Sequence, residues 1–348
     1  MRAPAVDVLI KGAGPVGCTA ALALRQAGLS VALYDPQLTP PTFRPLALSY
    51  ASRLIFQRLG LWAALPVTPI EHIVVSQAGS FGRTRLDAAD AGVPALGYQT
   101  DYPALLRALR SPLGDTLVSA PLDARCVVHA EGASADIAGK RYDHEVLVAL
   151  LRTEPPAAST AYERFTEEGP LALLPLAGRY ALIWSLRPER ARRLAQAPER
   201  EFLAELARLA PTAAGRLVAA EARSVQVPVL KVRRVRASDN EVYIGNAAQT
   251  LHPVAGQGLN LGLRDAWDLA QVLARAADAG DPATLARFAA SRRVDATAAI
   301  RVTDFLASGF SGARFRAARG AALAVLDVVP PARRFFARRM IFGVRALP

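Results

Sequence analysis

The chain has 348 residues, of which 52% are hydrophobic and 21% are charged. This composition supplies a packed core and excludes a disordered chain, and the length predicts two domains or one large fold with an inserted second sheet. No stretch reaches the roughly 18 apolar residues of a spanning helix, and no signal-peptide cleavage site is expected. Two cysteines form neither a disulfide framework nor a zinc site, so we expect a globular protein in the reducing cytoplasm.

Positive charge is concentrated towards the C-terminal end. The formal net charge is +12, and residues 296–348 carry nine arginines against two aspartates. A basic segment of this kind suits nucleic acid, an anionic membrane surface or a solvated face. No basic run interleaved with aromatic residues and no recognition motif is present, so we expect no nucleic-acid partner. Two interpretations stay open: contact with the inner membrane as a peripheral protein, and a plain packed helix.

The first 35 residues predict a strand, a glycine turn, a helix and a second strand. Residues 6–10 and 31–34 are mostly β-branched or apolar, and the run 18–26 is rich in alanine. A β-α-β unit of this kind implies a parallel sheet with a right-handed crossover.

The glycine turn after the first strand has the spacing of a dinucleotide-binding fingerprint. Gly12 makes the tight turn, Gly14 lets a pyrophosphate reach the backbone, and Gly17 lets the helix pack on the strand. The helix N-terminus offers free N–H groups to phosphates. Asp35 lies 23 residues after Gly12, where a carboxylate can accept hydrogen bonds from a ribose. An ordinary glycine turn is the alternative, but the setting favours an adenine dinucleotide.

The remaining elements predict an insertion. Helices are predicted at 52–61, 102–110, 188–209 and 259–277, a loop at 39–45, and strands at 70–76, 145–151, 171–176, 180–186, 224–232 and 241–245. The strands between 145 and 232 are typical of an antiparallel sheet. We therefore assign 1–70, 95–140 and 235–300 to a discontinuous nucleotide-binding domain, 71–94 and 141–234 to an antiparallel-sheet domain, and 301–348 to a basic C-terminal helical region.

A second glycine-rich segment occupies residues 244–265. Gly256 and Gly258 permit close approach of the backbone, and a helix follows at once. A plain loop between a strand and a helix explains neither the His252-Pro253 pair nor two glycines flanking a glutamine.

These segments resemble the class A FAD-dependent aromatic hydroxylases of the para-hydroxybenzoate hydroxylase type, and most closely their ubiquinone-biosynthesis branch. The likeness is carried by residues 12–17, by 43–49 with its arginine, and by 245–265, which resembles the second FAD motif. Residues 168–175 also resemble the strands leading into the branch's substrate domain. The resemblance implies an α/β fold: a Rossmann-like FAD-binding domain with a parallel sheet, interleaved with an antiparallel-sheet substrate domain, and a C-terminal helical region.

The resemblance also implies which residues hold FAD. The first turn would hold the pyrophosphate, and the helix starting near 259 would present backbone N–H groups to the N1 and C2-oxygen side of the isoalloxazine, where reduced flavin is negative. The expected FAD-binding residues are Gly12, Gly14, Pro15, Val16, Gly17, Asp35, Pro36, Arg44, Asn246, Pro253, Gly256, Gly258, Leu259 and Asn260. His252 either lies near the ring or packs the loop. We assign no catalytic residue from the sequence and predict no metal ligand.

The chain departs from the family pattern at several positions. Asn246 and Gln249 replace the usual aspartate and histidine, residues 130–134 match the middle motif only in part, and Tyr102 stands where arginine or asparagine is common. Residues 110–130 are too few for the strand pair usually found there. Because Asn246 removes a charge but keeps a hydrogen-bonding side chain, we expect FAD binding to survive.

The implied activity is hydroxylation of a lipophilic phenol in ubiquinone biosynthesis, with FAD bound, NAD(P)H docking transiently and O2 as oxidant. The substrate would lie between the flavin and the antiparallel sheet, where Leu173, Leu182 and Trp184 are either walls or ordinary core residues. A biosynthetic complex or a homo-oligomer is a further expectation. The rivals are another flavoprotein reaction, a flavin-binding scaffold without turnover and a nicotinamide-dependent dehydrogenase.

Overall fold

The computed structural model describes residues 4–36, 42–132, 137–233, 235–251, 257–304 and 315–342. His252, Pro253 and Gly256 lie outside these described residues. The strands are β1 Val6–Lys11, β2 Val31–Tyr34, β3 Pro45–Ser49, β4 Thr68–Ile70, β5 His72–Gln77, β6 Arg83–Asp87, β7 Gly97–Asp101, β8 Leu117–Val118, β9 Ala124–His129, β10 Gly139–Arg141, β11 Glu145–Glu154, β12 Thr160–Phe165, β13 Pro170–Leu176, β14 Arg179–Leu186, β15 Arg216–Gln226, β16 Val229–Val232, β17 Ala237–Ser238, β18 Glu241–Tyr243 and β19 Gln249–Thr250. The helices are α1 Pro15–Gln26, α2 Tyr50–Arg58, α3 Ala88–Ala91, α4 Tyr102–Arg110, α5 Pro188–Gln196, α6 Glu199–Ala207, α7 Gln257–Leu273, α8 Pro282–Asp304, α9 Arg316–Val328 and α10 Pro330–Phe342.

The N-terminal glycine turn belongs to a six-stranded sheet with the order β17-β18-β9-β1-β2-β8. Strand β1 pairs in parallel with β2 on one side and with β9 on the other, and β18 pairs in parallel with β9. Val8, Ile10 and Val128 are fully buried, as expected for a parallel sheet covered on both faces. The predicted β-α-β unit and parallel sheet are confirmed.

Helix α1 is held with its N-terminus at the glycine turn. It begins at Pro15, where the missing N–H of proline has no intrahelical partner to lose. Its small side chains at Cys18, Ala20 and Ala21 are fully buried, so the helix packs closely on its neighbours. Gly28, with φ +87°, follows its C-terminal end.

The second sheet has seven strands in the order β15-β11-β14-β13-β12-β5-β6. Its pairings are antiparallel except that of β12 with β5. One face packs on α5 and α6, because Leu173, Leu182 and Trp184 are fully buried in one cluster with Leu194 of α5 and Phe202 of α6. The three candidate substrate walls are therefore core residues on the helix-covered face.

The opposite face of this sheet turns towards the half of the molecule that contains the parallel sheet, where the sequence predicts FAD, and we call it the FAD-facing face. Since successive strand residues point to opposite faces, it carries two apolar cross-strand rows, Val148–Ile183–Ala172 and Leu150–Ala181–Leu174. Leu150, Leu174 and Ala181 form a cluster with Phe43, which precedes β3. This contact joins the two halves of the molecule.

A three-stranded sheet with the order β3-β7-β4 lies between the two large sheets. Tyr98 of β7 and Leu48 of β3 are buried in the core that contains the parallel sheet. On the other face, the hydroxyl of Thr68 accepts a hydrogen bond from the N–H of Ala177, in the turn between β13 and β14, at 2.9 Å. The small sheet thus contacts the antiparallel sheet directly.

Helices α9 and α10 pack across the β5–β6 end of the antiparallel sheet. Ala337 and Ile341 of α10 are buried with Leu86 of β6, and Nε of Arg333 lies 2.9 Å from a carboxylate oxygen of Asp90. Across the part of the chain that the structure describes, no helix combines the length and apolar character needed to cross a membrane.

Several predicted elements are confirmed, and others are wrong in detail. Helix 102–110 has the predicted bounds. The segment 188–209 forms two helices, because Pro198 interrupts it. The predicted strand 224–232 is two strands, of which β16 pairs with β10 and β19 in a separate sheet. Residues 110–130, considered too few for a strand pair, contain β8 and the central strand β9, which pair with β2 and with β1 and not with each other.

Candidate functional site

Close backbone packing defines the first glycine turn. Gly12 has φ +102°, and a Cβ on it would lie 2.6 Å from the carbonyl carbon of Ala130, just after β9. A Cβ on Gly17 would lie 1.9 Å from the carbonyl oxygen of Gly12. The ends of β1 and β9 and the start of α1 therefore meet with no room for side chains, as a dinucleotide fingerprint requires.

Asp35 and Arg110 hold this turn from two sides. Asp35 follows β2, and its Oδ2 accepts a hydrogen bond from the N–H of Ala13 at 2.8 Å. Arg110, at the end of α4, donates from Nη2 to the carbonyl oxygen of Ala13 at 2.8 Å. The structure thus places Asp35 beside the turn, with Pro36 next in the chain.

The second glycine turn lies directly against the first. Gly245 has φ +58°, and a Cβ on it would be 3.0 Å from Cγ1 of Val16. A Cβ on Gly262, within α7, would be 2.7 Å from Cγ2 of the same valine and 3.0 Å from Cα of Gly245. Two turns that are far apart in the sequence therefore meet around Val16, at the start of α1.

Asp265, a buried residue, stabilises the second turn by hydrogen bonds. This fully buried residue of α7 accepts hydrogen bonds at Oδ2 from the N–H of Gly245, at 3.1 Å, and from Nε2 of Gln249, at 3.0 Å. Its Oδ1 accepts a third from Nε of Arg292 at 2.8 Å. Burial alone would lower the pKa of Arg292, but Asp265 and nearby aspartates raise it. We assigned no role to Asp265 from the sequence. The signal that could have indicated one is an acidic residue within a largely apolar helical segment.

Asn260 connects the start of α7 to β3 and α2. Its Oδ1 accepts hydrogen bonds from the N–H of Ser49 and from the hydroxyl of Ser52, both at 2.7 Å. Its Nδ2 donates to the carbonyl oxygen of Ala47 at 2.8 Å. The side chain is thus bonded to protein, while Gly258 and the backbone of Asn260 lie in the first two turns of the helix.

The start of α4 also reaches the first glycine turn. A Cβ on Gly14 would lie 3.7 Å from the hydroxyl oxygen of Tyr102, and the N–H of Tyr102 donates to the carbonyl oxygen of Arg44 at 2.9 Å. Burial raises the pKa of the Tyr102 phenol, although Arg110 and Arg44 act in the opposite direction. A neutral phenol therefore occupies the place where the family pattern predicts arginine or asparagine.

Two other expected residues are exposed. The side chains of Arg44 and Asn246 face solvent, and Asn246 uses its carbonyl oxygen to accept a hydrogen bond from the hydroxyl of Thr250 at 3.3 Å. Leu259 is partly buried against the core of the nucleotide-binding half.

Gln99 of β7 is a buried amide whose polar atoms have no protein partner. It is fully buried, and among the described residues neither Nε2 nor Oε1 makes a hydrogen bond. It lies opposite Ala47 of β3, the residue whose carbonyl oxygen Asn260 binds. Each buried polar group left unsatisfied costs about 1–3 kcal/mol. The pyrimidine edge of an isoalloxazine carries N–H and C=O groups that would satisfy both atoms, so this amide and the glycine cradle fit FAD.

The described ranges contain no candidate metal-binding site. No group of three or more His, Cys, Asp or Glu side chains there could hold a metal ion.

Comparisons with known proteins agree with this geometry. Residues 126–303 match the FAD binding domain family. The chain is 31% identical to the ubiquinone hydroxylase UbiL of Rhodospirillum rubrum, over 98% of this chain and 91% of that protein. It is 27% identical to the 3-demethoxyubiquinol 3-hydroxylase of Escherichia coli, over 88% of this chain and 90% of that protein.

Solved structures of other proteins have a similar fold. PqsL, a probable FAD-dependent monooxygenase from Pseudomonas aeruginosa, is similar with a TM-score of 0.76 at 21% identity, over 92% of this chain and 99% of that chain. The expected α/β fold and the expected cofactor, FAD, are confirmed. The chain belongs to the FAD-dependent aromatic hydroxylases, in their ubiquinone-biosynthesis branch, and is a flavin-dependent monooxygenase.

Proposed function

We propose that the protein hydroxylates the phenolic ring of a lipophilic precursor in ubiquinone biosynthesis, with NAD(P)H as transient reductant and O2 as oxygen source. The contact of the two glycine turns around Val16 carries the proposal, because a single fingerprint serves many reactions. The names of two relatives, a ubiquinone hydroxylase and a 3-demethoxyubiquinol 3-hydroxylase, support the substrate class.

The backbone would do most of the work of holding FAD. The N-terminus of α1 would face the pyrophosphate, Asp35 the ribose, and the first turn of α7 together with Gln99 the isoalloxazine. Bound FAD supplies the redox and oxygen chemistry, and the protein orients the substrate and excludes water. The proposed binding residues are Gly12, Gly14, Pro15, Val16, Gly17, Asp35, Pro36, Arg44, Gln99, Asn246, Pro253, Gly256, Gly258, Leu259 and Asn260.

The substrate would bind against the FAD-facing face of the antiparallel sheet. The apolar rows through Ile183 and Ala181 on that face suit an aromatic ring with a hydrocarbon tail. In this division, residues 1–70, 95–140 and 235–300 hold FAD, and residues 71–94 and 141–234 hold the substrate.

The C-terminal helices would contact the membrane in which a lipophilic substrate dissolves. Where α9 meets α10, Val328 is 77% and Val329 is 41% exposed, and Phe335 on α10 is 72% exposed. Arg334 and Arg338 are exposed beside Phe335. Apolar side chains that enter the bilayer, next to cations that attract anionic lipid, are typical of peripheral attachment.

The experiment is to purify the protein and follow NADPH oxidation with and without a short-chain 2-prenylphenol, with mass analysis of the product. We expect a yellow protein whose flavin absorbance is bleached by NADPH, and a phenol-dependent rise in oxidation that yields a product heavier by one oxygen atom. A colourless protein that does not bind added FAD contradicts the proposal. Oxidation of NADPH without hydroxylated product would favour the flavin-binding, non-hydroxylating alternative.

A further inference from the structure

Glu163 places a carboxylate on the FAD-facing face of the antiparallel sheet. It follows Tyr162 in β12, and Tyr162 points to the helix-covered face, where its hydroxyl donates to the carbonyl oxygen of Ala213 at 2.8 Å. Because successive residues of a strand point to opposite faces, the side chain of Glu163 points to the face on which we place the substrate.

The cross-strand neighbours of Glu163 on that face are apolar. Val75 of β5 pairs with it on one side and Ala172 of β13 on the other, and Ile183 of β14 continues the row. Glu163 itself is partly exposed, so protein does not completely cover the sheet at this position.

The cation that α9 brings to this face is engaged with other groups. Arg319 donates from Nε to Oε1 of Gln77 at 2.6 Å, and its guanidinium lies 4.9 Å from the centre of the Phe165 ring. Among the described residues, Glu163 has no hydrogen bond and no ion pair. Within the described ranges, the carboxylate therefore has apolar cross-strand neighbours and no protein group that neutralises it.

These surroundings make Glu163 a better proton acceptor. Burial raises the pKa of its carboxyl group above the ordinary value, because an apolar environment disfavours the charged form. A carboxylate with a raised pKa holds a received proton more firmly, which suits general-base catalysis near neutral pH.

We propose that Glu163 is the catalytic residue that binds the phenolic hydroxyl of the substrate and accepts its proton. The inference rests on the proposed function, since it requires a phenol in the cleft. The phenolic O–H bond breaks, a new O–H bond forms on one carboxylate oxygen of Glu163, and no electrons are exchanged. The resulting phenolate ring is richer in electrons and reacts more readily with an electrophilic oxygen.

The test compares binding of 4-methylphenol and its methyl ether, 4-methylanisole, to the FAD-loaded protein by perturbation of the flavin absorbance. Only the phenol can donate a hydrogen bond to a carboxylate, so we expect the wild type to prefer it by about 10- to 100-fold. Glu163→Gln is expected to lose most of this preference, because a neutral amide oxygen is a weaker hydrogen-bond acceptor than a carboxylate, and to keep the wild-type flavin spectrum. Glu163→Asp retains the carboxylate and should retain part of the preference.

The matched control is Glu167→Gln, which removes an exposed glutamate just beyond β12 and should leave the preference unchanged. A wild type without the preference, or a Glu163→Gln variant that keeps it, overturns the role of Glu163. The hydroxylation assay is separate: product without the preference overturns only Glu163, whereas a flavin-loaded enzyme that forms no product overturns the proposed function.

Discussion

At Gln99, both polar atoms of a buried side chain lack a hydrogen-bond partner in the part of the chain that the structure describes. A strand residue in this position would be expected to be apolar, since the neighbouring Tyr98 and Thr100 are also buried. Retaining two unsatisfied groups lowers the stability of the ligand-free protein, and a bound ligand recovers that energy. The amide is therefore best explained as part of the cofactor site.

Replacing Gln99 with methionine, which has a similar shape, tests this explanation. We expect Gln99→Met to raise the free energy of unfolding of the FAD-free protein by about 1 kcal/mol or more, and to raise the Kd for FAD by about tenfold. Thermal unfolding and a flavin-fluorescence titration measure the two effects. Thr100→Val is the control, because Thr100 lies on the opposite face and bonds the carbonyl oxygen of Pro66; it should leave the Kd unchanged. An unaltered Kd in Gln99→Met would exclude contact with FAD.

Glu163 should make the stability of the ligand-free protein depend on pH. Since its pKa is raised in the folded state, the stabilisation from protonated Glu163 is present below the ordinary glutamate pKa and is lost as the pH rises through the raised value. We therefore expect Glu163→Gln to unfold at least about 2 °C above the wild type at pH 8, with the difference shrinking towards pH 4.5. Thermal unfolding at several pH values measures this. A constant difference at every pH would show that the carboxyl group does not titrate differently on folding.

At the scale of elements, the site depends on how closely α7 approaches α1. Gly262 of α7 and Gly245 of the second turn both touch Val16, and Asp265 binds the backbone of Gly245 from the same helix. One helix therefore sets the position of the second glycine turn relative to the first. This contact brings the two turns together, as the proposed binding of one dinucleotide by both turns requires.

Adding one methyl group between these elements should separate them. Gly262→Ala puts a Cβ 2.7 Å from Val16, and overpacking of this kind costs about 1–3 kcal/mol. We expect a lower unfolding temperature and weaker FAD binding, measured by calorimetry and titration. Gly258→Ala, on the same helix, puts a Cβ no closer than 3.9 Å to any described residue and should unfold at the wild-type temperature. Equal stability of both variants would show that α1 and α7 are less tightly packed.

The elements that were predicted correctly have sequence signals within their own residues or directly beside them. Helix α4 has its predicted bounds because Asp101 caps it, accepting a hydrogen bond from the N–H of Ala104 at 2.8 Å, and Pro103 lies in its first turn. Strand β9 went unrecognised because Arg125 and His129 interrupt its apolar run. Its central position comes from parallel pairing with β1, which no local pattern reveals.

At the scale of the whole molecule, the exposed apolar residues of α9 and α10 lie on the same part of the chain as the basic charge. Transfer of one large side chain into an apolar phase contributes about 1.5–3 kcal/mol. We expect the double substitution Phe335→Ser with Phe336→Ser to reduce sedimentation with phosphatidylglycerol vesicles at least about tenfold. Val227→Ser is the control, because Val227 is 56% exposed but lies in the antiparallel-sheet half. Wild-type binding by the double variant, or no binding by the wild type, would contradict the membrane proposal.

By itself, the sequence determined the β-α-β unit, the dinucleotide fingerprint and the family. These depend on glycine spacing and short apolar runs, which act within a few neighbouring residues. Only the tertiary structure decided that Leu173, Leu182 and Trp184 are core residues and that Asp265 holds the second turn. It also decided that Gln99 and Glu163 are polar groups without hydrogen-bond partners among the described residues. Alternation along a strand says that two faces differ, but not which face meets the helices and which meets the cofactor half. Which face meets which neighbour depends on packing between segments that are distant in the chain. The same packing decides whether each buried polar atom finds a hydrogen-bond partner.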